Sequence, residues 1–228
     1  AAAIDAPNAD VAFSAGGAIT PTAAGDIAAR TFRLTGGDWT QVGPGLAAFA
    51  ADDFRLEGAA PSDRSFLRAT GGSGTPADPY LITDIFGLQG IDSPLLLASS
   101  FALANDINAA PAGAWDGLQG FDPIGEGGTQ FTGTFDGRGF AIDALTITRA
   151  DAALFDRPGG ASFSNLSLTN LDIIAGDEGG GLAVASNNGT HAGLTFSGSI
   201  AGAGRLMGAL AGTATGGTVD NVTSSATV

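Results

Sequence analysis

Three stretches near the C-terminus repeat at one constant interval. One column of equivalent positions contains Leu154, Leu182 and Leu210, and a second column with the same interval contains Leu166, Leu194 and Val222. A unit of this length holds only a few short apolar strands and cannot bury its hydrophobic face alone, so neighbouring units must stack. The periodicity therefore predicts an all-β solenoid.

The N-terminal part of the chain carries a shorter repeat of its own. Phe32-Arg33-Leu34 recurs as Phe54-Arg55-Leu56, and a degenerate copy begins at Phe13. The alternation puts Phe and Leu on one face and Arg on the other, as a half-buried strand requires, and glycine then turns the corner. The apolar residues between the copies are expected to fill the same interior; they are Trp39, Val42, Leu46 and Phe49.

An irregular segment interrupts the repeats around residues 71–125. It opens with a run of turn-forming residues at 71–77. The spacing of Ile82, Ile85, Leu88 and Ile91 then predicts a short helix. This helix is expected to begin near Thr83 or Asp84 and to end near Gly90, and a strand is expected over residues 101–107.

These features divide one continuous solenoid into three regions. We predict N-terminal turns at 1–70, an irregular segment with entry strands at 71–140, and regular repeats at 141–228. The chain opens without an initiator Met or a basic apolar leader, and its last repeat stops on a strand without a cap. We therefore expect a segment of a longer fibre whose repeats continue beyond residue 228, with an end that frays or associates end to end.

The charge balance excludes several classes of partner. Nine basic residues, all Arg, face twenty Asp and three Glu, which gives a formal net charge of −14. Such a surface repels nucleic acid and anionic membrane. No apolar run approaches the ~18 residues that a membrane span requires, and the absence of Cys excludes disulfides and thiolate metal sites. We expect no nucleic-acid partner and no membrane insertion of this segment.

Few residues are candidates for catalysis. His191 is the only histidine, and it has no orienting carboxylate nearby in sequence, so a histidine on a surface turn is expected. Asp52 and Asp53 are adjacent and would point to opposite faces of a strand. Stacked turns could bring Asp26 beside one of them, which leaves a carboxylate pair open as an alternative. The pattern favours a protein that is not an enzyme and has no cofactor.

Two oxygen-rich turns are candidates for calcium. They are Asp136-Gly137 and Asp177-Glu178-Gly179-Gly180, and neither has the alternating Asp spacing of a dedicated calcium loop. Solvated turn acids are the preferred interpretation. Asn165 and Asn221 lie in glycosylation-like sequons but occupy equivalent repeat positions. They indicate a structural ladder or turn device that Gly193 interrupts.

Ordered blocks of the sequence resemble bacterial GLUG-motif proteins. These blocks are Gly72-Ser73-Gly74-Thr75-Pro76-Ala77-Asp78-Pro79-Tyr80-Leu81-Ile82, residues 101–107, Phe121-Asp122-Pro123-Ile124-Gly125 and residues 131–139, followed by Gly-Leu-Ala units. The N-terminal Phe-Arg-Leu copies and Asp38-Trp39-Thr40-Gln41 are similar to filamentous-haemagglutinin-like secreted adhesins. The resemblance implies a right-handed parallel β-helix at a bacterial surface and supplies no catalytic residues.

The combined hypothesis is a non-catalytic segment of a secreted or cell-surface fibrous adhesin, which acts in adhesion or as a spacer stalk. Its expected partners are surface glycans or proteins of a host or neighbouring cell, or further copies of itself. The alternative is a β-helical protein that binds or cleaves polysaccharide, such as a phage tailspike-like fibre. The predicted repeat core comprises Phe32, Leu34, Phe54, Leu56, Leu154, Leu166, Leu182, Leu194, Leu210 and Val222.

Overall fold

A computed structural model describes residues 3–57, 64–126 and 128–228 of the chain. Its strands are, in order, β1 (Ile4–Ile19), β2 (Ile27–Val42), β3 (Phe49–Leu56), β4 (Arg64–Ala69), β5 (Tyr80–Ile82), β6 (Ser100–Leu103), β7 (Ile107–Asn108), β8 (Thr134–Asp136), β9 (Ala141–Asp143), β10 (Thr146–Ala152), β11 (Ser162–Ser164), β12 (Ser167–Gly180), β13 (Ala183–Asn187), β14 (Thr190–Gly202), β15 (Leu206–Gly208), β16 (Ala211–Thr215) and β17 (Thr218–Ser224). The helical elements are α1 (Ile85–Gly90), a 3₁₀ helix (Ala110–Ala114) and α2 (Trp115–Leu118). The protein is therefore mostly β.

The pairings between these strands are parallel. The strands form three sheets: β1 to β4, an eleven-stranded sheet that begins with β5, and the pair β13 and β16. A parallel neighbour can be reached only by a crossover connection, so the chain must return to the same side of the molecule before each new strand.

The N-terminal sheet is organised around β2. Its first half pairs with β3, where Phe32 lies opposite Phe54 and Leu34 lies opposite Leu56, in the register that the N-terminal repeat predicts. Its second half pairs with β4, where Trp39 lies opposite Phe66. Strand β2 thus does not end at Gly36 and Gly37 but continues through them to Val42.

Two expectations for this region are wrong. Phe13 lies opposite Leu34, and Val11 lies opposite Phe32, so the degenerate copy is displaced from the alignment predicted. Bulges in the pairing of β1 with β2 produce this displacement. Val42 is 40% exposed and does not belong to the interior, because the alternation of β2 turns Gln41 inward at that end of the strand.

The irregular segment contains the predicted short helix. Helix α1 begins after Asp84, whose carboxylate caps it by accepting a hydrogen bond of 2.8 Å from the backbone N–H of Gly87. Ile82 lies on β5, before the helix. The strand expected over 101–107 is divided into β6 and β7. No helix in the described part of the chain has the length and apolarity needed to cross a membrane.

Aromatic residues form a ladder through the large sheet. Phe101 pairs with Phe135, Phe135 with Phe163, and Phe163 with His191. The last step of the same ladder places Val219 opposite His191. From Phe135 onward each partner lies 28 positions further along the chain, as Ser164 does from Asp136. The periodicity seen in the sequence is therefore the spacing of this ladder.

Left-handed backbone conformations flank β11 and the equivalent positions 190–192 of β14 and 218–220 of β17. At one end φ is 68° for Gly160, 54° for Asn188 and 65° for Gly216; at the other end φ is 50° for Asn165, 63° for Gly193 and 49° for Asn221. Glycine adopts positive φ freely, and asparagine tolerates it better than most residues. Asn165 and Asn221 therefore act as turn residues at equivalent corners, and Gly193 is the turn residue of the repeat between them.

The predicted core residues lie in or against one apolar cluster. Fully or nearly fully buried are Phe32, Leu34, Phe54, Leu154, Leu166, Leu182 and Leu194; half-buried and packed against the same cluster are Leu56, Leu210 and Val222. The backbone N–H of Leu182 donates to the carbonyl of Leu210 at 3.2 Å, which stacks these two positions directly. Among the described strands, β16 and β17 each pair on one side only, so Leu210 and Val222 are less completely covered.

Leu182→Asp is expected to lower the free energy of unfolding by about 3 kcal/mol or more, because it places an unpaired charge in the core. Urea denaturation followed by circular dichroism measures this change. Ile174→Asp on β12 is the matched control; Ile174 is 48% exposed, and the same substitution there should cost less than about 1 kcal/mol. Equal losses for the two variants would contradict the assignment of Leu182 to the core.

Candidate functional site

A cluster of charged side chains joins the N-terminal sheet to the segment that follows it. Arg55 alternates with buried Phe54 on β3 and therefore points away from the core. Its Nη2 lies 2.7 Å from Asp53 Oδ2, and its Nη1 lies 3.1 Å from Asp116 Oδ1. These partly buried contacts connect β3 to a residue that lies far from it in sequence.

Asp116 is shared between two guanidinium groups. It lies in α2 with a positive φ of 49°, and its backbone N–H donates to Asp53 Oδ1 at 3.0 Å. Its second carboxylate oxygen accepts a hydrogen bond of 3.1 Å from Arg149 Nη2 on β10. Asp116 thus bridges Arg55 and Arg149, and through them the N-terminal sheet and the large sheet.

Arg149 completes what we call the Arg55–Arg149 network, which comprises Asp53, Arg55, Asp116, Asp122 and Arg149. Besides Asp116, Arg149 contacts Asp122 Oδ1 at 2.5 Å and donates through Nε to the carbonyl of Phe121 at 3.3 Å. The guanidinium is largely buried and satisfied by acceptors on several sides. Charge-assisted contacts of this kind are stronger than those between neutral groups.

Burial raises the pKa of Asp122 to about 6, although Arg149 acts to lower it. The nearby negative charges of Glu126 and Asp116 add to the increase. Burial likewise raises the pKa of Glu126, and it raises the pKa of Asp92 well above its usual range. This side of the molecule therefore holds carboxyl groups that are easier to protonate than solvated acids, and one of them exchanges its proton near pH 6.

A second cluster surrounds Arg157. Its Nη2 lies 2.9 Å from Asp151 Oδ2 and 2.8 Å from Glu178 Oε2, and its Nε lies 3.6 Å from Asp156 Oδ1. The expectation of a solvated turn at 177–180 is wrong: Asp177 is exposed as expected, but it lies on β12, and Glu178 is partly buried on the same strand. The reason is that β12 continues to Gly180 and pairs with β15, which holds Glu178 on a strand beside the cation.

Asp136 is also more than a solvated turn acid. Its Oδ1 accepts hydrogen bonds from the backbone N–H of Arg138 at 3.0 Å, from Ser164 Oγ at 3.2 Å and from Asn165 Nδ2 at 3.0 Å. These contacts join one corner to the next. Across residues 3–57, 64–126 and 128–228, no group of three or more His, Cys, Asp or Glu side chains is arranged to hold a metal ion.

The expectation that His191 lies on a surface turn is wrong. His191 is 2% exposed on β14, and its ring stacks on Phe163 with the centroids 5.5 Å apart and the planes 4° apart. Nε2 lies 2.8 Å from Ser186 Oγ, and burial lowers the pKa of the imidazole. The aromatic ladder explains this position, since Phe163 occupies the equivalent place in the preceding repeat.

The Ser186–His191 contact has the distance of a nucleophile and its general base. Both residues are buried, however, so a substrate cannot reach the hydroxyl. Within the described part of the chain, His191 Nδ1 has no hydrogen-bond partner that would orient the ring as a triad carboxylate does. The pair therefore satisfies a polar group inside the stack and does not form a reactive site.

The carboxylates considered from sequence are separated by the fold. Asp53 belongs to the Arg55–Arg149 network, whereas adjacent Asp52 is exposed and lies outside that network. Asp26 accepts a hydrogen bond of 2.8 Å from the backbone N–H of Ala48 and precedes Ile27, whose partner is Phe49. The alternative that pairs Asp26 with Asp52 or Asp53 is thus wrong.

Sequence reasoning missed the Arg55–Arg149 network as a whole. Its acidic members Asp116 and Asp122 come from the irregular segment, where no repeat fixes which strand a residue will face. The only available signal is Arg at outward positions of β3 and β10, because a partly buried guanidinium requires carboxylate partners.

Similarity to known proteins is partial. No protein-family model and no solved structure matches the chain. A stretch of 156 residues is 32% identical to halomucin of Haloquadratum walsbyi and covers 63% of this chain but 2% of that protein. A stretch of 81 residues is 35% identical to the "Putative Gly-rich membrane protein" of Evansella cellulosilytica and covers 36% of this chain and 9% of that protein. The chain thus spans less than a tenth of either curated relative.

Asp122→Asn is expected to raise the melting temperature relative to the unmodified protein more at pH 7 than at pH 4. The folded protein binds the Asp122 proton more tightly than the unfolded chain, so this group's contribution to stability falls as the pH rises from about 4 to 6. Thermal unfolding across that window measures the difference. A difference that does not change between pH 4 and pH 7 would contradict the raised pKa of Asp122.

Asp143→Asn serves as the control of opposite sign. Hydrogen bonds from Thr169 Oγ1 and Asn170 Nδ2 lower the pKa of Asp143, so its ionised form favours the folded state. This variant should lower the melting temperature at pH 7.

Proposed function

We propose that the strands coil as one right-handed parallel β-helix, and that the chain is a non-catalytic segment of a secreted or cell-surface fibrous protein that acts in adhesion or as a spacer. The observation that carries this proposal is the constant step between parallel partners within each block of repeats. Partners on β2 and β3 keep the separation of 22 positions that also joins Asp26 to Ala48. From β8 through β11 and β14 to β17 the separation is 28 positions, as between Asp136 and Ser164. Crossovers between parallel strands are right-handed in about 98% of cases.

The three regions 1–70, 71–140 and 141–228 are proposed as parts of the same solenoid. One apolar cluster that contains residues from Ile27 to Ile200 supports this continuity. At the first boundary, buried Arg68 on β4 contacts Asp84 at 2.7 Å, and Ser93 Oγ accepts a hydrogen bond of 2.9 Å from the backbone N–H of Phe66. The segment that begins at residue 71 thus packs directly on the N-terminal strands.

A surface location is supported by two kinds of observation. One relative carries the name of a membrane protein, and the chain corresponds to a small part of both relatives, as expected for one module of a long protein. The ordered GLUG-type and haemagglutinin-like blocks of the sequence favour an extracellular fibre. Expected partners are surface glycans or proteins, or further copies of the fibre, whereas a net charge of −14 disfavours nucleic acid.

A β-helical protein that binds or cleaves polysaccharide is the second candidate. The observation that favours it is the raised pKa of Asp122 and Glu126, since glycosidases use a carboxylic acid of raised pKa to protonate the leaving group. The contact of Asp122 with Arg149 favours the non-catalytic alternative, because the carboxylate is already committed to a structural ion pair.

Adhesion is tested with fluorescent beads that carry the chain covalently. We expect more beads to be retained on cultured cells than beads carrying the destabilised variant Leu182→Asp. Periodate or protease treatment of the cells then distinguishes glycan from protein receptors. Equal retention of both bead types would contradict a role in adhesion.

Catalysis is tested by incubating the purified chain with neutral and acidic polysaccharides. We expect no release of reducing ends and no formation of unsaturated products. Activity that is present in the unmodified protein and lost in Asp122→Asn would overturn the non-catalytic proposal and support the second candidate.

A further inference from the structure

A surface cleft of about 520 Å³ lies against the N-terminal sheet, and no member of the Arg55–Arg149 network lines it. Its lining includes Pro7 and Asn8 of β1, Phe49 and Asp52 of β3, Phe86 of α1, and Pro111 of the 3₁₀ helix. The volume falls within the range of about 300 to 1,000 Å³ that small-molecule sites occupy. The lining combines aromatic, proline and polar side chains drawn from four elements.

Phe49 gives the cleft a rigid apolar surface. Its ring packs on Phe86 at 4.6 Å and on Phe32 at 4.9 Å between centroids, and the guanidinium carbon of Arg68 lies over the ring at 5.5 Å from its centroid, so the side chain cannot turn away. Phe49 nevertheless stays half-buried and contributes to the cleft. A fixed aromatic ring that is partly open to solvent suits a ligand with one apolar face, because binding then costs little side-chain entropy.

Asp52 gives the same cleft an uncommitted acceptor. Adjacent Asp53 is bound to Arg55 and to the backbone N–H of Asp116, and Asp10 is paired with Arg30 at 2.8 Å. By contrast, no hydrogen bond or ion pair engages the Asp52 side chain among the residues that the structure describes. A free carboxylate can accept several hydroxyl hydrogens at once.

Asn8 adds a hydrogen-bond donor to the cleft. Its side-chain amide both donates and accepts hydrogen bonds, and it is exposed on β1 at the edge of the cleft. The cleft therefore presents an apolar surface, formed by the exposed part of Phe49 with Pro7 and Pro111, beside a carboxylate and an amide. Ligands that match this combination have C–H groups on one face and hydroxyl groups around the rim, which is the chemistry of a sugar ring.

We propose that this cleft binds a neutral saccharide unit of a surface glycan, with the exposed part of Phe49 and the two prolines against the sugar ring and with Asp52 and Asn8 on its hydroxyl groups. The inference rests on the proposed role in adhesion and identifies its ligand class. Acidic saccharides are disfavoured, since a sugar carboxylate would meet Asp52 and a chain of net charge −14.

Binding is tested by saturation-transfer NMR and titration with three neutral probes, mannotriose, galactotriose and N,N′,N″-triacetylchitotriose, and with trigalacturonate as the acidic probe. We expect at least one neutral trisaccharide to bind and trigalacturonate not to bind. Asp52→Ala and Asn8→Ala should each weaken that binding about tenfold, as expected for the loss of a hydrogen bond to a charged or amide group.

The variants are chosen so that misfolding does not obscure the result. Asp52 and Asn8 are exposed, and Asp220→Ala on β17 is a matched control at an exposed acid remote from the cleft in sequence. Failure of all three neutral probes to bind, preferential binding of trigalacturonate, or equal affinity of Asp52→Ala and the unmodified protein would overturn the proposal. Bead retention that persists in Asp52→Ala would overturn this site alone and leave the role in adhesion standing.

Discussion

The parallel backbone ladder is the interaction on which the rest of this structure depends. Within each block of repeats, a strand's N–H and C=O groups bond to a strand at a fixed separation along the chain, so side chains that are equivalent in sequence lie directly over one another. Phe135, Phe163 and His191 share one column for this reason. A residue's environment is therefore decided less by its chain neighbours than by the equivalent residue of the repeat before or after it.

The ladder also dictates where turns can occur. If one copy bends at a given position, its neighbours must bend there too, or the hydrogen bonds between them are lost. Asn165, Gly193 and Asn221 meet this demand with the same left-handed conformation. The choice of Asn or Gly at each corner is a local solution to a constraint that the stack imposes, and Asp136 strengthens one corner by accepting from Asn165.

What could be predicted from sequence follows from this periodicity. The Leu columns, the pairing of Phe32 with Phe54 and the equivalence of Asn165 with Asn221 all repeat at a fixed interval. The polar chain neighbours of His191 favour a surface position, whereas its partner Phe163 in the stack holds it inside. The predicted alignment of Phe13 is wrong because bulges shift the register of β1, and a bulge leaves no periodic signal.

The charged contacts do not follow the periodicity, because they combine residues from the repeats with residues from the irregular segment. On β3 two adjacent carboxylates have different surroundings. Asp53 forms an ion pair with Arg55 and accepts a hydrogen bond from the backbone N–H of Asp116, which connects the N-terminal sheet to the segment that follows it. Asp52 is exposed and lines the cleft together with Phe49. Since the ion pairs that hold the sheets together do not use Asp52, this residue can be altered for recognition without loosening the fold.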